Sequence, residues 1–308
     1  MSNNMVKAGY LASRIRPIAA RAIRALPPFR GRGRIASALN SVFLALGADP
    51  IVITKMTAGH QLRLDVRLFS HCHAYYSGQY DDAKRVMLLR FLTPGGAALD
   101  VGGNIGFYAV PMALVAKRAA GHLVIVEPVP TNLTWLHDNL TLNAVGDAAT
   151  VLPLGLSDQP SETEIVLAGE FLTGACIGNA IIANWAVGPQ FRRVTIRLDT
   201  LDRVWPSINR QLDIIKLDIE GYEGKFLKGA HETIKQHRPV ILMEVNRWFY
   251  QKRDEDFDKL IPELLPSDYI LSVLYKARSL QKIERLSSVQ DTDVFFVPRE
   301  RRGHLVSG

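Results

Sequence analysis

Cysteine is scarce in this chain, and its scarcity excludes two classes of protein. The 308 residues contain only Cys72 and Cys176, which lie far apart in the sequence. Two thiols at that separation provide neither a disulfide framework nor the paired cysteines of a zinc site. We therefore expect a protein of a reducing compartment, with a cytoplasmic location.

Long uncharged apolar runs are also missing. No apolar run reaches the roughly 18 residues that a transmembrane helix needs. Near the amino terminus, arginines at 14, 16, 21 and 24 would interrupt the uncharged core of a signal peptide. Neither a membrane-spanning segment nor a signal peptide is expected.

Acidic residues are nearly absent from the first 60 positions. Residues 1–60 carry nine Lys or Arg against one acid, Asp49, so this segment has a net charge of +8. Because the whole chain sums to +7, residues 61–308 sum to −1. The basic charge is therefore local, and extended binding to the phosphates of a nucleic acid is not expected.

The basic segment, residues 1–35, has two interpretations. At helical spacing one face collects Leu11, Ile15, Ile18, Ala22 and Leu26, and beside it lie Lys7, Arg14, Arg21 and Arg24. This pattern is compatible with a helix lying on an anionic membrane surface, at the inner face of the membrane. A frayed tail or a helix packed on the body of the protein is favoured, because Pro17 would disturb the helix and alanine dominates.

The residues that follow predict a small extension ahead of the main domain. A short helix is predicted over 35–47 and a hairpin over Ile51–Lys55 and Gln61–Leu68. His71, Cys72 and His73 are interpreted as strand residues that point to opposite faces, which argues against a metal site. We assign 1–75 to this extension, 76–300 to the main domain and 301–308 to a tail.

From Ala97 onward, predicted strands and helices alternate, which is typical of a parallel sheet with helices on both faces. Two late strands, Tyr269–Tyr275 and Asp293–Val297, lack a long helix between them and predict an antiparallel edge. The expected fold is α/β, with a mostly parallel seven-stranded sheet. The five earlier strands are predicted at Ala97–Val101, His122–Val126, Thr150–Leu154, Asp213–Leu217 and Val240–Val245.

A glycine-rich turn follows the first of these strands. A dinucleotide fingerprint would need glycine at 104 and 107, where this chain has Asn104 and Phe107. Asp100 precedes the turn, and its charge suits a ligand that carries an ammonium and a sulfonium, namely S-adenosylmethionine (SAM). We assign cofactor binding to Asp100 and to the turn residues Gly102, Gly103, Asn104, Gly106 and Phe107.

The next two strand ends add candidates for the same ligand. Glu127 lies where an acid accepts hydrogen bonds from ribose hydroxyls, and Pro128 and Asn132 follow it. Ser157 and Asp158 come after the third strand, where Asp158 suits the exocyclic amine of an adenine. The competing interpretations are a solvated acid for Glu127, a helix cap for Asn132 and a turn residue for Asp158.

The fourth strand ends in a run of acids. An alcohol is a poor nucleophile, so methyl transfer to oxygen needs a base, and we assign that chemistry to Asp218 and Glu220, one as base and one orienting the acceptor. No resident metal is expected, although Asp218 and Glu244 are an alternative pair of oxygen ligands for a divalent cation. Glu223 suits the start of the next helix.

Aromatic residues provide candidates for an acceptor pocket. The long segment 160–192 contains Phe171 and Trp185, and we expect it to contribute to that pocket, with a surface hairpin as the alternative. Trp205, Trp248 and Tyr250 could present flat surfaces to a sugar, or could belong to the core.

Four strings, in this order and spacing, resemble the FkbM family of SAM-dependent methyltransferases: LDVGGNIGFYAV, IVEPVPTN, DIIKLDIEGYEGKFLKGA and RPVILMEV. The resemblance covers about residues 75–250. It implies a class I Rossmann-like methyltransferase fold and O-methylation of hydroxyls on sugars, glycans or polyketide-type products. Gly103 departs from the family, which more often has alanine there.

The leading hypothesis is therefore a SAM-dependent O-methyltransferase acting on a small-molecule or glycan acceptor. A nucleic-acid methyltransferase is disfavoured, because the chain lacks a Pro-Pro-aromatic string and a nucleophilic cysteine after the fourth strand. The alternatives are another acceptor class, or a non-catalytic scaffold in a membrane-associated glycan assembly complex.

Overall fold

The computed structural model describes residues 3–27, 29–168, 191–290 and 292–306. Its internal contacts divide the chain into two compact units, Met1–Asp82 and Ala83–Gly308. Each unit has its own secondary structure.

The first unit combines helices with one hairpin. Its elements are α1 (Asn3–Ala25), α2 (Arg32–Ala45), β1 (Ile51–Lys55), β2 (Gln61–Asp65) and α3 (Phe69–Ser77). The predicted hairpin is confirmed, since β1 and β2 pair antiparallel. The helix predicted over 35–47 begins earlier, at Arg32. Helix α1 continues through Pro17, whose ring lies on an exposed side of the helix.

The interpretation of residues 71–73 as a strand is wrong, because these residues belong to α3. His71 is buried, and its Nδ1 accepts a hydrogen bond from the backbone N–H of Asp65. Burial lowers the pKa of His71 to about 4, so the ring is neutral and suited to accept that bond. The histidine therefore anchors the end of β2 to α3.

The second unit is built on one large sheet, whose order is β14-β12-β11-β13-β10-β9-β3-β4-β5. Neighbouring strands β5, β4, β3, β9 and β10 are parallel. Its strands are β3 (Ala97–Val101), β4 (His122–Val126), β5 (Ala149–Leu152), β9 (Leu212–Leu217), β10 (Val240–Glu244), β11 (Tyr269–Tyr275), β12 (Ser279–Lys282), β13 (Asp293–Pro298) and β14 (Leu305–Val306).

The α/β class with a mostly parallel sheet is confirmed, but the number of strands and the place of the antiparallel strand are not as predicted. Within the described residues the sheet has nine strands, of which β14 is only two residues long. The antiparallel strand β13 lies inside the sheet, between β10 and β11. Strand β12 was not predicted because it is short and lacks an alternating apolar pattern.

Helices cover the sheet. In the second unit they are α4 (Asp82–Leu89, which begins at the boundary), α5 (Ala109–Arg118), α6 (Pro130–Leu142), α7 (Leu201–Val204), α8 (Glu223–Gly229), α9 (His231–His237), α10 (Arg247–Gln251) and α11 (Phe257–Glu263). The single helix predicted over 223–237 is divided at Ala230, whose φ of −117° is not helical. The main apolar core joins Leu99, Val101 and Ile215 of the sheet to Phe226 and Ile261 of the helices.

A second, three-stranded sheet has the order β6-β8-β7. Its strands are β6 (Gly155–Leu156), β7 (Ser161–Ala168) and β8 (Phe191–Asp199). Strands β7 and β8 pair antiparallel, so the ends of the segment predicted as a long loop are strands. Phe171 and Trp185 lie outside the described residues, and their predicted place in an acceptor pocket stays a prediction.

Asp213, near the start of β9, connects Arg301, close to the end of the chain, to the edge of the sheet where the parallel strands begin. Its buried carboxylate accepts hydrogen bonds from the backbone N–H and the hydroxyl of Thr93. Arg301 pairs with the same carboxylate at 3.3 Å and donates to the carbonyl oxygens of Asp213 and Phe91. Arg301, which begins the predicted tail, is therefore bound to the body of this unit.

We expect the substitution Asp213→Ala to lower the free energy of unfolding by about 2–3 kcal/mol, since it removes a buried carboxylate that accepts two hydrogen bonds from Thr93 and pairs with Arg301. Urea unfolding followed by circular dichroism measures this change. The matched control is Asp147→Ala, which removes an exposed ion pair with Lys117 and should not measurably change the midpoint. Equal midpoints for the two variants would contradict the structural role of Asp213.

Candidate active site

The candidate site lies where four parallel strands end side by side. The cross-strand register pairs Val101 with Val126 on one side and with Leu217 on the other, and Leu217 pairs with Met243. The residues that follow these four positions therefore meet at one edge of the sheet. This edge is the usual place for ligands in open parallel α/β sheets.

The turn after β3 needs its glycines for two physical reasons. Gly102 has a φ of +83°, and a Cβ on it would overlap the carbonyl oxygen of Asp218. Gly103 lies so close to Ile125 that a Cβ would overlap that side chain, which gives the departure from the family's alanine a structural reason. Asn104 has a φ of +48°, and its side chain accepts a hydrogen bond from the N–H of Ile105. The turn is therefore packed against both neighbouring strands.

Glu127 ties this turn to the start of α6. One carboxylate oxygen accepts a hydrogen bond from the N–H of Asn104 at 2.7 Å. The other accepts from the N–H of Val129 at 2.8 Å and from the side-chain amide of Asn132 at 3.3 Å. Burial raises the pKa of Glu127 to about 7, against the opposing effect of these hydrogen bonds. The structure thus brings Asn104, Glu127 and Asn132 together.

Asp100 faces a cation that belongs to the protein itself. The Lys216 ammonium lies 3.5 Å from the Asp100 carboxylate, 3.3 Å from that of Asp218, and donates a hydrogen bond to the carbonyl of Gly102. Asp100 is fully buried, and burial raises its pKa while Lys216 lowers it. Lys216 therefore connects the glycine turn to the acids after β9.

Lys216 is the site residue that the sequence analysis missed. It stands in the strand sequence Leu212–Leu217, where its five neighbours include four apolar residues, and its side chain is nearly as buried as theirs. Lysine is almost never fully buried unless it is paired, so a lysine inside such a run was itself a signal. The register places Lys216 directly opposite Asp100 on the neighbouring strand.

Three carboxylates form a cluster beside Lys216. One oxygen atom each from Asp218, Glu220 and Glu244 lies within 4.8 Å of the other two. Burial, followed by the charge of Asp218, raises the pKa of Glu220 to about 7 and that of Glu244 to about 9. Three oxygens at these separations could hold a divalent cation, or they could share protons. The structure thus brings Asp218 and Glu244 together, with Glu220 as a third member.

The loop that carries this cluster is held in an unusual conformation. Glu220 has a φ of +53°, a value that few residues other than glycine adopt. The next residue, Gly221, has a φ of +95°, and a Cβ there would overlap the ring of Phe249. Backbone strain of this kind needs support from the surrounding structure and often occurs at functional sites.

Glu223 and Tyr250 support this loop through hydrogen bonds. The buried Glu223 carboxylate accepts hydrogen bonds from the N–H groups of Ile219 and Gly221 and from the Tyr250 hydroxyl. The same hydroxyl accepts from the N–H of Gly224 at 2.9 Å. Glu223 is the first residue of α8, at the helix start. Its carboxylate also accepts hydrogen bonds from the residues on both sides of Glu220.

Some predicted residues lie apart from these contacts. Phe107 is buried among core residues, and Pro128 is half-buried. Ser157 and Asp158 follow β6 of the smaller sheet, where the Ser157 hydroxyl donates to Asp158. The charge of the exposed Asp158 contributes to the raised pKa of Tyr222, after burial, so Asp158 lies near the loop that follows Gly221.

The aromatic candidates separate by burial. Trp205 and Tyr250 are buried, and the indole N–H of Trp205 donates to the carbonyl of Arg210. Trp248 is 46% exposed and packs edge-on against Phe249, the residue that contacts Gly221. Of these three, only Trp248 presents an accessible ring, and it lies next to a residue that contacts the acid loop.

The chain is similar to several solved methyltransferase structures at low sequence identity. Among solved structures, the FkbM methyltransferase of Methylobacillus flagellatus is similar at 14% identity and a TM-score of 0.42, with 96% of this chain and 62% of that one covered. The chain thus spans less than two thirds of that protein's length. P. horikoshii TYW2 in complex with MeSAdo matches at 14% identity and a TM-score of 0.40, over 92% and 97% of the two chains.

A third similar structure is the precorrin-6y C5,15-methyltransferase of Geobacter metallireducens, at 12% identity and a TM-score of 0.35, over 69% and 84% of the two chains. Among curated protein sequences none matches this chain. The model of the methyltransferase FkbM domain matches residues 100–271, which is more than half of the chain. It begins at Asp100 and includes the glycine turn, Glu127, Lys216 and the acid cluster, and the chain belongs to the FkbM methyltransferase family.

Proposed function

We propose that this protein transfers a methyl group from SAM to a hydroxyl of a small-molecule or glycan acceptor. The observation that carries the proposal is the meeting of the glycine turn and the acid cluster at one sheet edge, joined by Lys216. The turn suits a ligand that approaches the backbone closely, and the acids suit an acceptor that must lose a proton.

The residues fit the cofactor. SAM supplies an electrophilic methyl group on a sulfonium. Glu127 ends β4, and its carboxylate is fixed by two backbone N–H groups while lone pairs remain to accept hydrogen bonds from ribose hydroxyls. Asn132 supports this carboxylate, and Asp158 stays the candidate for the adenine amine.

Asp100 contributes to cofactor binding by a different route from the one expected from sequence. Because its carboxylate is fully buried beside Lys216, we propose that it does not bind the ligand's ammonium directly. It fixes the Lys216 ammonium, which in turn holds the carbonyl of Gly102. Asp100 is thus a positioning residue for the turn.

The structure favours Glu220 over Asp218 as the base. The Asp218 carboxylate lies 3.3 Å from the Lys216 ammonium and is engaged in that ion pair. The pKa of Glu220 is about 7, which matches a base that works near neutral pH. Glu220 would take the proton of the acceptor hydroxyl, and the half-exposed Asp218 would orient that hydroxyl.

A divalent cation bound by Asp218, Glu220 and Glu244 is the second candidate chemistry, favoured by their mutual distances. Such an ion would lower the pKa of the acceptor hydroxyl directly. A non-catalytic scaffold that binds SAM without transferring the methyl group is the alternative from another class. Against it stand Lys216, Glu223 and Tyr250, which maintain a strained acid loop that a scaffold does not need.

Calorimetric titration with S-adenosylhomocysteine tests the cofactor assignment. We expect the wild-type chain to bind and Glu127→Ala to bind at least about tenfold more weakly, a loss of about 1.4 kcal/mol, since the turn and the ribose lose the same carboxylate. The control is Glu162→Ala, which removes an exposed acid in β7 and should leave affinity unchanged. Absence of wild-type binding would contradict the proposed function.

The pH dependence of methyl transfer tests the base. With radiolabelled SAM and a fractionated cell extract as the acceptor source, kcat/KM should rise with pH and level off above about 7, as Glu220 loses its proton. Glu220→Gln should abolish that rise and slow transfer by about 10²–10⁴-fold, with affinity for S-adenosylhomocysteine retained. Full activity in this variant would exclude Glu220 as base, and loss of wild-type activity in a chelator would favour the cation.

The stability of the acid cluster should depend on pH. The folded-state pKa of Glu244, about 9, exceeds the ordinary value of 4.5, so the folded chain binds extra protons between these values. Stability from this group is complete below about pH 4.5 and is lost as the pH rises towards 9. We therefore expect Glu244→Gln to raise the melting temperature relative to wild type by about 2 °C or more at pH 9, and less at pH 5.

The exposed Glu162→Gln provides the matched control for this comparison, and its difference from wild type should be the same at both pH values. A difference in melting temperature between Glu244→Gln and wild type that is the same at pH 5 and pH 9 would contradict this prediction. It would mean that ionisation of Glu244 in the cluster does not lower stability.

A further inference from the structure

Helix α1 presents its large aliphatic residues outward. Leu11, Ile15 and Ile18 are 57%, 44% and 65% exposed, and they lie on one face at helical spacing. We call these three residues, with the exposed Ala22 that continues the same face, the α1 stripe. The stripe is the apolar face that the sequence pattern picked out, and within the described residues it faces away from the core of the first unit.

The side of α1 that packs inward is made of other residues. It carries mostly small side chains and one arginine: Gly9, Ala12, Arg16, Ala20 and Ile23. Gly9 lies against the carbonyl of Gly47, where a Cβ would be too close to that oxygen. Close approach of the backbones therefore leaves no room for a side chain at Gly9 itself. An ordinary surface helix has the opposite arrangement, with its large aliphatic residues buried.

Basic residues border the stripe. Lys7, Arg14 and Arg21 are exposed and follow one another at seven-residue intervals beside it. No acid occurs before Asp49, so nothing on this helix offsets their charge. Tyr10 is exposed next to them, and its hydroxyl accepts a hydrogen bond from Arg14. Aromatic residues with a polar tip are common at the boundary between lipid and water.

The same combination continues beyond α1. Leu26, Phe29 and Ile35 are exposed apolar residues, and Arg30 and Arg34 are exposed among them. The α1 stripe is thus part of a segment in which exposed aliphatic and aromatic groups alternate with cations. Exposed apolar groups of this extent mark an interaction surface.

The positive charge beside the α1 stripe favours one kind of partner. A second copy of this helix would set cations against cations, which costs free energy. A surface with fixed negative charges and an apolar interior satisfies both the arginines and the stripe. None of the described helices is both long and apolar enough to cross a bilayer, which limits α1 to lying along the surface.

We propose that the first unit docks on an anionic phospholipid surface, with the α1 stripe inserted among the lipid chains and Lys7, Arg14 and Arg21 at the headgroups. The inference concerns the first unit and is independent of the reaction proposed for the second. It identifies a binding surface whose ligand is a negatively charged bilayer.

Flotation of the full-length chain with vesicles tests the proposal. Vesicles of phosphatidylcholine with about one third phosphatidylglycerol should bind the chain at least tenfold more tightly than phosphatidylcholine alone, and added salt should weaken binding. Substitution of Leu11 and Ile18 by serine should reduce binding at least tenfold. The matched control is Ile53→Ser with Val86→Ser, which removes aliphatic groups of similar exposure, 60% and 51%, outside α1 and should bind as the wild type.

Circular dichroism and urea unfolding of both double variants establish that each is folded. An independent variant keeps the stripe and replaces Lys7, Arg14 and Arg21 by glutamine. Loss of binding in this variant and in the stripe variant supports the proposal. Equal binding of stripe and control variants would overturn it. Failure of the wild type to bind anionic vesicles would also overturn it. This outcome includes the case in which sedimentation shows that α1 holds two copies of the chain together.

Discussion

The ammonium group of Lys216 is the charge on which the arrangement at the sheet edge depends. It pairs with the carboxylates of Asp100 and Asp218 and donates a hydrogen bond to the carbonyl of Gly102. One side chain therefore fixes both the turn after β3 and the acids after β9. A fully buried carboxylate without a cation would be costly, and Asp100 is fully buried. The lysine therefore supports the glycine turn and also contacts the acid cluster.

One cation cannot offset all the acids around it, and this imbalance bears on the roles that we propose for them. Asp218 lies within 3.3 Å of the ammonium, whereas Glu220 and Glu244 have raised pKa values of about 7 and about 9, caused by burial and by the charge of Asp218. At neutral pH Glu244 is therefore protonated, whereas Glu220 is close to half-protonated. Glu220, which we propose as the base, combines this pKa with a fixed position on the strained loop supported by Glu223 and Tyr250.

Much of this edge could be predicted from sequence, because parallel strands end together and each predicted strand end carried a recognisable residue. Strands β3 and β4 begin and end at the predicted residues, so Asp100 and Glu127 were placed correctly on the fold. Lys216 was missed because it lies inside β9, where the apolar run around it marks only a buried strand. Aligning the carboxyl ends of β3 and β9 would have set Lys216 opposite Asp100. The bond between Glu223 and Tyr250 depends on tertiary packing of α8 and α10, which no local pattern encodes.

Helix α1 shows a different limit of sequence patterns. The apolar periodicity correctly identified Leu11, Ile15 and Ile18 as one face, yet periodicity alone does not say whether a face is inside or outside. Here the inward side carries Gly9, Arg16 and Ile23, and Gly9 lies so close to the carbonyl of Gly47 that no side chain fits at that position. Leu11, Ile15 and Ile18 lie on the other side of the helix, beside the exposed arginines. The tertiary packing of α1, which its own periodicity does not encode, thus determines which face is available to a partner.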